Sequence, residues 1–274
     1  MNSRFHTHLL AGLLLTTASA LAANADTGMN MGAMQGGSPP PDARDPHAYA
    51  NGHDFGPLRP RFADEQSFFS LRMNRLEAVR IDDRTTGTYD LQAWFGGDYD
   101  RLFFKSEGDY AGGTLEESSN ELLWGHAVAP FWDTQLGIRY DTQAGVADRA
   151  WLAAGIQGLA PYWFEVDATA YMGEGGNVAA NLEIEYELLF TQRLILTPRL
   201  ETDFYGQRDA ARGQGAGLAS ASFGLRLRYE FRREFAPYLG IEWAGQYGET
   251  RRLTEAAGGD ARETRLLAGL RFWF

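Results

Sequence analysis

Residues 178–204 read VAANLEIEYELLFTQRLILTPRLETDF, and this stretch decides the fold. Between Val178 and Leu189, apolar side chains alternate with asparagine and glutamate, and after a break at Phe190 to Gln192 the alternation resumes. Because successive side chains of a strand point to opposite faces, each half has one apolar face and one charged face. Two such runs joined by a short connection predict an antiparallel hairpin.

The hairpin alone is compatible with two architectures. If the acidic face meets basic residues of other strands inside a wet enclosure, the apolar face must turn outward into lipid, as in a transmembrane β-barrel. The alternative is a soluble antiparallel sheet with one solvated face. The pattern of the other strands distinguishes the two.

Alternation recurs along the chain and predicts about twelve strands, an even number as in bacterial barrels. They are Phe68–Ile81, Thr88–Phe95, Arg101–Asp109, Asn120–Ala129, Thr134–Asp141, Ala150–Leu159, Trp163–Tyr171, Val178–Leu189, Leu194–Phe204, Leu218–Phe231, Pro237–Gln246 and Thr264–Phe274.

The predicted connections alternate between short and long. The long ones are Asp82–Gly87, Tyr110–Ser119, Thr142–Arg149, Met172–Asn177, Tyr205–Gly217 and Tyr247–Glu263. Barrels have short periplasmic turns and longer outer loops, and a random soluble sheet would not sort its connections in this way. The sequence therefore predicts an all-β fold, a transmembrane antiparallel β-barrel over residues 65–274.

The two faces of the predicted barrel follow from the alternation. Apolar side chains, such as Leu136, Ile138 and Tyr140, are expected on the outside. Charged side chains of both signs are expected in the lumen, where opposite charges on neighbouring strands can pair and fill a narrow interior. These are Arg139, Glu165, Asp167, Glu183, Glu185, Glu187, Arg199, Glu201, Asp203, Arg226, Arg228, Glu230, Glu242, Arg265 and Arg271.

The N-terminal residues have a different composition. Arg4 precedes an apolar run from Leu9 to Ala23, and Ala23-Asn24-Ala25 fits a small-x-small cleavage site, so residues 1–25 are predicted to be a signal peptide. Residues 26–64 are rich in glycine and proline and predict a disordered periplasmic arm.

Overall composition agrees with an exported barrel. The chain has no cysteine, a formal net charge of -11 and 36 aromatic residues, counted as 7 Trp, 12 Tyr and 17 Phe. Negative charge argues against a nucleic-acid partner and is compatible with cations. Aromatic residues form belts at the two membrane interfaces of such barrels.

Several runs resemble the copper-resistance protein B family. They are DPHAY at 45–49, DYDRL at 98–102, KSEGD at 105–109, ELLW at 121–124, GIQGLAPYWF at 155–164 and LTPR at 196–199. The resemblance implies an outer-membrane barrel of a Gram-negative bacterium that binds copper and acts with periplasmic copper-handling proteins in copper tolerance. Many members carry a long arm rich in Met and His, and this chain keeps only five such residues there.

Candidate copper ligands are few. In the arm they are Met29, Met31, Met34, His47 and His53, since thioethers favour Cu(I) and imidazole suits Cu(II). In the barrel they are His126, expected to face the lumen with Trp124, and Met172 at a strand end. The alternative for all of these residues is structural: a polar linker for the arm, a hydrogen-bonded histidine, and packing for the methionine.

Two other function classes remain open at this point. One is a passive narrow channel or a purely structural barrel. The other is an outer-membrane hydrolase, but no serine partner for His126 emerges, so the chain is predicted not to be an enzyme. The C-terminal Phe274 resembles the signal by which the barrel-assembly machinery recognises its substrates, and outer-membrane lipid is the expected surrounding.

Overall fold

The computed structural model describes residues 66–274. The predicted signal peptide and periplasmic arm, residues 1–25 and 26–64, lie outside this range. Thirteen strand segments make up most of it: β1 (Phe68–Ile81), β2 (Arg84–Gly96), β3 (Asp100–Ala111), β4 (Thr114–Ala129), β5 (Trp132–Gln143), β6 (Val146–Ala160), β7 (Phe164–Gly173), β8 (Val178–Glu185), β9 (Leu188–Leu189), β10 (Leu194–Tyr205), β11 (Gly217–Tyr229), β12 (Phe235–Gln246) and β13 (Arg262–Trp273).

The strands form one closed antiparallel sheet. Apart from β8 and β9, each strand pairs with its neighbours in the chain, and β13 pairs with β1 to close the barrel. β8 and β9 both pair with β10 in one register, so they form a single interrupted barrel strand. The predicted barrel of twelve strands is therefore confirmed.

A proline explains the interruption between β8 and β9. Tyr186 donates its backbone N–H to the carbonyl of Pro198 on β10, at 3.1 Å. In an antiparallel ladder the opposite residue would return a hydrogen bond, but proline has no N–H. The ladder is thus incomplete at this pair without a change of register.

The two ends of the barrel differ in what they carry. The terminal end carries the start of β1, Phe274 and the connections 97–99, 130–131, 161–163, 190–193 and 230–234. The loop end carries the connections 82–83, 112–113, 144–145, 174–177, 206–216 and 247–261.

The expectation that every loop-end connection is long is wrong. Three of them, at 82–83, 112–113 and 144–145, are two-residue turns because the strands continue almost to the hairpin tip. Gly112 and Gly113 have φ of 60° and 83°, the conformation that a tight hairpin turn requires. Only 206–216 and 247–261 are long.

Within the described part of the chain, helical structure is confined to the connections between strands. α1 (Gly248–Ala256) lies between β12 and β13, and single 3-10 turns occur at Pro161–Trp163, Glu174–Gly176 and Ala210–Arg212. Within residues 66–274, no helix has the length and apolar character needed to cross a membrane.

The apolar face of the strands points outward, as predicted. Leu136, Ile138, Leu239 and Leu266 are 55–68% exposed. On the inner face, by contrast, Asp141 and Arg199 are each 2% exposed. A surface of exposed leucine and aromatic side chains around a charged interior is the arrangement of a barrel that spans lipid.

The inner and outer faces of β4 are the reverse of the prediction. Leu123 of β4 is fully buried in the lumen, whereas Trp124 is 52% exposed on the outer face. Trp124 pairs with Leu136, and Glu121 pairs with Arg139, in the register of β4 and β5. Because Arg139 faces inward, Glu121 does too, and side chains two residues apart share a face. Leu123 is therefore inside, and the expected lumen position of Trp124 and His126 is wrong.

Candidate functional site in the barrel lumen

The middle of the lumen holds a cluster centred on Arg199. Odd-numbered residues of β10 face inward, and the side chain of Arg199 is 2% exposed. Its guanidinium lies 2.6 Å from Glu183, 3.4 Å from Glu185 and 3.2 Å from Glu201. One cation thus serves three carboxylates, because the strand order places β8 directly beside β10.

A second arginine extends this cluster across the lumen. Arg75 of β1 lies 3.3 Å from Asp90, 3.6 Å from Glu107 and 4.0 Å from Glu201. We call the central cluster Arg75, Asp90, Glu107, Glu183, Glu185, Arg199 and Glu201. Its five carboxyl groups outnumber its two guanidinium groups.

Other ion pairs also cross the interior. Arg72 on β1 lies 3.8 Å from Glu165 on β7, which is on the opposite side of the barrel. Lys105 on β3 donates a hydrogen bond to Asp167 on β7. Side chains that meet from distant strands occupy the space between them, which agrees with the expectation that charge pairs fill the lumen.

A buried pair of carboxylates is bridged by one arginine on the β11 side. Arg226 donates to Glu77 at 2.7 Å and to Glu242 at 2.9 Å. Tyr238 adds a hydrogen bond to Glu77 at 2.9 Å, and Arg265 lies 3.3 Å from Glu242. These contacts connect β1 with β11, β12 and β13, the strands that close the barrel.

An aromatic cluster that the alternation pattern did not predict lines the opposite wall of the lumen. Phe103, Leu123, Trp151, Ala153 and Tyr171 are buried together on β3 to β7. Its polar atoms are satisfied: the Tyr171 hydroxyl donates to Glu121 at 2.7 Å, and the Trp151 indole donates to Asp141 at 2.9 Å. The sequence did contain a sign of it, because Leu123 lies two residues from Glu121 and so shares its lumen-facing side.

Cavities remain at both ends of the barrel, and their linings differ in charge. The loop-end cavity has a volume of about 340 Å³ and is lined by twelve Asp or Glu residues against four Arg or Lys residues. A terminal-end cavity of about 310 Å³ is lined by Arg72, Arg228, Arg233 and Arg271 against Glu230. A larger cavity at the same end, of about 770 Å³, is lined by Asp98 and Asp133 against Arg72 and Arg101, so the acidic excess is confined to the loop end.

His126 lies on the outer surface near the terminal end. Its Nδ1 is 2.9 Å from Asp100 Oδ1, and the Trp124 indole donates to the same oxygen at 3.0 Å. The imidazole is 43% exposed. A carboxylate at Nδ1 fixes the ring and leaves Nε2 for another partner, an arrangement that metal-ligating histidines share with purely structural ones.

Met172 is far from His126 along the barrel axis. It lies at the loop end of β7, is 59% exposed on the outer face, and pairs with Leu152 and Val178. These two candidates therefore cannot share one ion. Met29, Met31, Met34, His47 and His53 lie outside the described residues. Within residues 66–274, no three His, Cys, Asp or Glu side chains are grouped so that they could hold a metal ion.

Comparison with known proteins identifies the family. The model of the family described as "Copper resistance protein B precursor (CopB)" matches residues 67–274, which is the whole barrel. This chain belongs to the copper resistance protein B family. The resemblance inferred from the sequence motifs is thereby confirmed, and a role in copper resistance follows from it.

Curated relatives support the assignment. Copper resistance protein B of Escherichia coli is 44% identical over 206 residues, which cover 75% of this chain and 69% of the relative. The Copper resistance protein B homolog of Pseudomonas syringae pv. tomato is 45% identical over 201 residues, covering 73% of this chain and 68% of the relative.

Solved structures resemble the chain only distantly. The KdgM porin matches with 13% identity and a TM-score of 0.45, covering 75% of this chain and 99% of the porin. Outer membrane phospholipase A from Escherichia coli matches with 12% identity and a TM-score of 0.45, covering 73% of this chain and 92% of the phospholipase.

Proposed function

We propose that this protein contributes to copper resistance from the outer membrane by binding copper ions and passing them between the periplasm and the barrel. The observation that carries the proposal is the family match over residues 67–274. Copper is the cargo in this proposal, and the protein performs no catalysis on it.

The outer membrane is the proposed location because of the barrel surface. Exposed aromatic residues occur near both ends, including Trp163 at the terminal end and Trp243 towards the loop end. Amphipathic rings favour the two membrane interfaces. The predicted signal peptide, residues 1–25, supports export, and we propose that the terminal end and the arm, residues 26–64, face the periplasm.

The arm supplies the proposed copper ligands. Met29, Met31 and Met34 fall within six residues, so their soft thioethers can converge on one Cu(I) ion. His47 and His53, with neighbouring aspartates, suit Cu(II). His126 and Met172 are proposed as weaker, separate contact points, since each presents a single donor on the outer face.

The charge of the lumen supports a cation as cargo. A cavity lined mostly by carboxylates concentrates cations at the loop-end mouth and repels anions. The smaller, basic cavity at the terminal end has the opposite preference.

Three partners complete the proposal. Periplasmic copper-handling proteins are expected to exchange copper with the arm. Lipid covers the apolar outer face. The barrel-assembly machinery is expected to recognise the last strand through Phe274, which is 73% exposed and hydrogen-bonds through its backbone to Leu71 of β1 at 2.8 Å.

The test is a competitive copper titration of the full chain in detergent. A variant with Met29, Met31 and Met34 changed to Leu should lose Cu(I) binding, and His47→Asn with His53→Asn should weaken Cu(II) binding. The control is Met73→Leu, a methionine that pairs with Leu91 in the β1–β2 ladder. Equal copper affinity in all variants would refute the assignment of the arm. A copper-tolerance assay of cells expressing each variant tests the role in resistance separately.

A further inference from the structure

The connection between β10 and β11, residues 206–216, lies across the mouth of the barrel. The side chain of Arg212 is 1% exposed. Its guanidinium donates to the Ala147 carbonyl and, at 3.2 Å, to Gln143 Oε1. Both acceptors belong to the β5–β6 hairpin, which is separated from β10 by β7 and β8. The connection therefore spans two barrel strands to reach its anchor.

Arg149 of β6 makes a second attachment. It donates to Gln214 Oε1 at 2.8 Å and lies 3.6 Å from Asp209. The guanidinium also lies over the Tyr205 ring, 5.6 Å from its centroid. Two arginines from opposite directions thus hold the same connection against the β5–β6 hairpin.

On its other side the connection packs against α1. The Gly215 N–H donates to Thr250 Oγ1 at 2.9 Å, and Arg208 lies 3.3 Å from Glu249. A Cβ at position 215 would lie 2.5 Å from Glu249 Cβ and 2.4 Å from the Thr250 nitrogen, so only glycine fits. The connection is therefore attached to the β5–β6 hairpin and to the β12–β13 connection as well as to its own strands.

Part of the lumen wall lies beneath these attachments. A pocket of about 10 Å³ under Arg149 and Tyr205 is lined by Asp141, Trp151 and Ala179, among others. Ala179 also packs against the aromatic cluster. Residues 206–216 do not themselves line this small pocket, but Arg149 and Tyr205 above it both contact Gln214 of the connection, at 2.8 and 3.1 Å. The larger loop-end cavity, lined by Ala244 and Gln246, extends along the other side of the mouth.

We propose that residues 206–216 are a strap that closes the β6–β8 side of the loop-end mouth, and that Arg212 and Gly215 fasten it. The inference goes beyond the proposed function, since it concerns access to the lumen whatever the cargo is. Releasing the strap would expose the wall at Asp141, Trp151 and Ala179 and widen the mouth.

The strap is the part of this mouth that can move without breaking the barrel. Its own backbone pairing is a single bridge between Asp209 and Gln214, whereas the barrel strands are held by continuous ladders. Segments with few backbone ladder bonds open at lower free energy than a core sheet. Among the described residues, the carboxylate paired with the Arg212 guanidinium is that of Asp209, at 3.7 Å, and the other oxygens that it contacts are neutral.

Thiol labelling in the full chain tests the proposal, because the chain has no native cysteine. Ala179→Cys places a reporter beneath the strap, and Ala244→Cys places one in the open cavity. A membrane-impermeant maleimide should react with the Ala179→Cys thiol at least about tenfold faster when Arg212→Gln is added, since opening then becomes more frequent. The Ala244→Cys thiol should react at the same rate in both backgrounds.

Two further variants keep the test decisive. If the Arg212→Gln protein does not assemble, Gly215→Val serves instead. It is expected to release the strap from α1 and to accelerate labelling at position 179 as well. Arg251→Gln is the control, because Arg251 pairs only with Glu255 of its own helix, at 2.7 Å. Equal labelling rates at position 179 in the parent, Arg212→Gln and Gly215→Val proteins would overturn the proposal.

Discussion

Arg226 shows how a single residue fixes the interior of this barrel. Its guanidinium bridges Glu77 and Glu242, whose charges would otherwise repel each other in a space with little water. Removing one partner of a buried ion pair costs more than the pair itself contributes, because the remaining charge is desolvated and uncompensated. Here one substitution leaves two carboxylates without their main partner.

The first prediction concerns this bridge. Arg226→Met should lower the free energy of unfolding by about 3–5 kcal/mol, the usual cost of breaking a buried pair from one side. Urea unfolding in lipid vesicles, followed by tryptophan fluorescence, measures it. Arg80→Met is the control, since Arg80 is 59% exposed and lies 3.8 Å from Asp83. An unchanged midpoint for Arg226→Met would show that Glu77 and Glu242 do not need the guanidinium.

The error at His126 also belongs to the residue scale. On β4, apolar residues occupy both faces near Leu123 and Trp124, so hydrophobicity alone does not say which face is inside. Glu121 identifies the inner face, because a charged side chain on the lipid face is costly. Leu123 lies two residues from Glu121 and therefore faces the lumen as well. What the sequence could not show is that a barrel lumen contains an apolar cluster able to accept Leu123.

At the scale of the element, the β3–β4 hairpin depends on glycine. Gly112 and Gly113 form the whole connection between β3 and β4, and both have positive φ. A Cβ at either position would meet nothing within 4 Å. The requirement for glycine is therefore conformational and does not come from crowding.

The second prediction distinguishes backbone strain from crowding at Gly113. Gly113→Val should lower the free energy of unfolding by about 1–3 kcal/mol, because a β-branched residue is strained at positive φ. Gly113→Asn should cost less, since asparagine tolerates this conformation. The same vesicle unfolding assay compares the two. Equal destabilisation by Val and Asn would point to a cause other than backbone strain.

The ends of the strands at the loop end were not predictable from composition. Residues 114–119 and 84–87 looked like loop because they are polar and lack an apolar face. In the structure they continue β4 and β2, since their backbone is paired with the neighbouring strand. Backbone pairing does not depend on an apolar side chain, so composition gave no sign of it.

At the scale of the whole molecule, the lumen is crossed by charge pairs from opposite strands. Members of the central cluster, with the pairs of Arg72 with Glu165 and Lys105 with Asp167, surround a pocket of only about 60 Å³ in the middle of the lumen. A closed interior of this kind leaves little room for passive diffusion of hydrated solutes. The barrel is therefore expected to differ in conductance from an open porin.

The third prediction tests this property. In a planar lipid bilayer the protein should show no large steady conductance, and the double variant Lys105→Ala with Asp167→Ala should conduct more, because it removes a bridge between β3 and β7 without leaving an unpaired charge. Arg80→Ala with Asp83→Ala, a pair at a surface turn, is the control. A large steady current through the unmodified protein would contradict the prediction.

The sequence by itself determined the inside-out barrel, its strands and its family, because alternation has a period of two and requires only local order along each strand. It also placed most lumen charges, since a charged side chain on the lipid face is costly near the middle of the membrane. Tertiary structure alone decided which carboxylate meets which arginine, the packing of Leu123 with the aromatic side chains of other strands, and the strap at Arg212. Each of these depends on contacts between strands that are distant in the chain. The strand register that makes those contacts is set by closure of the whole barrel.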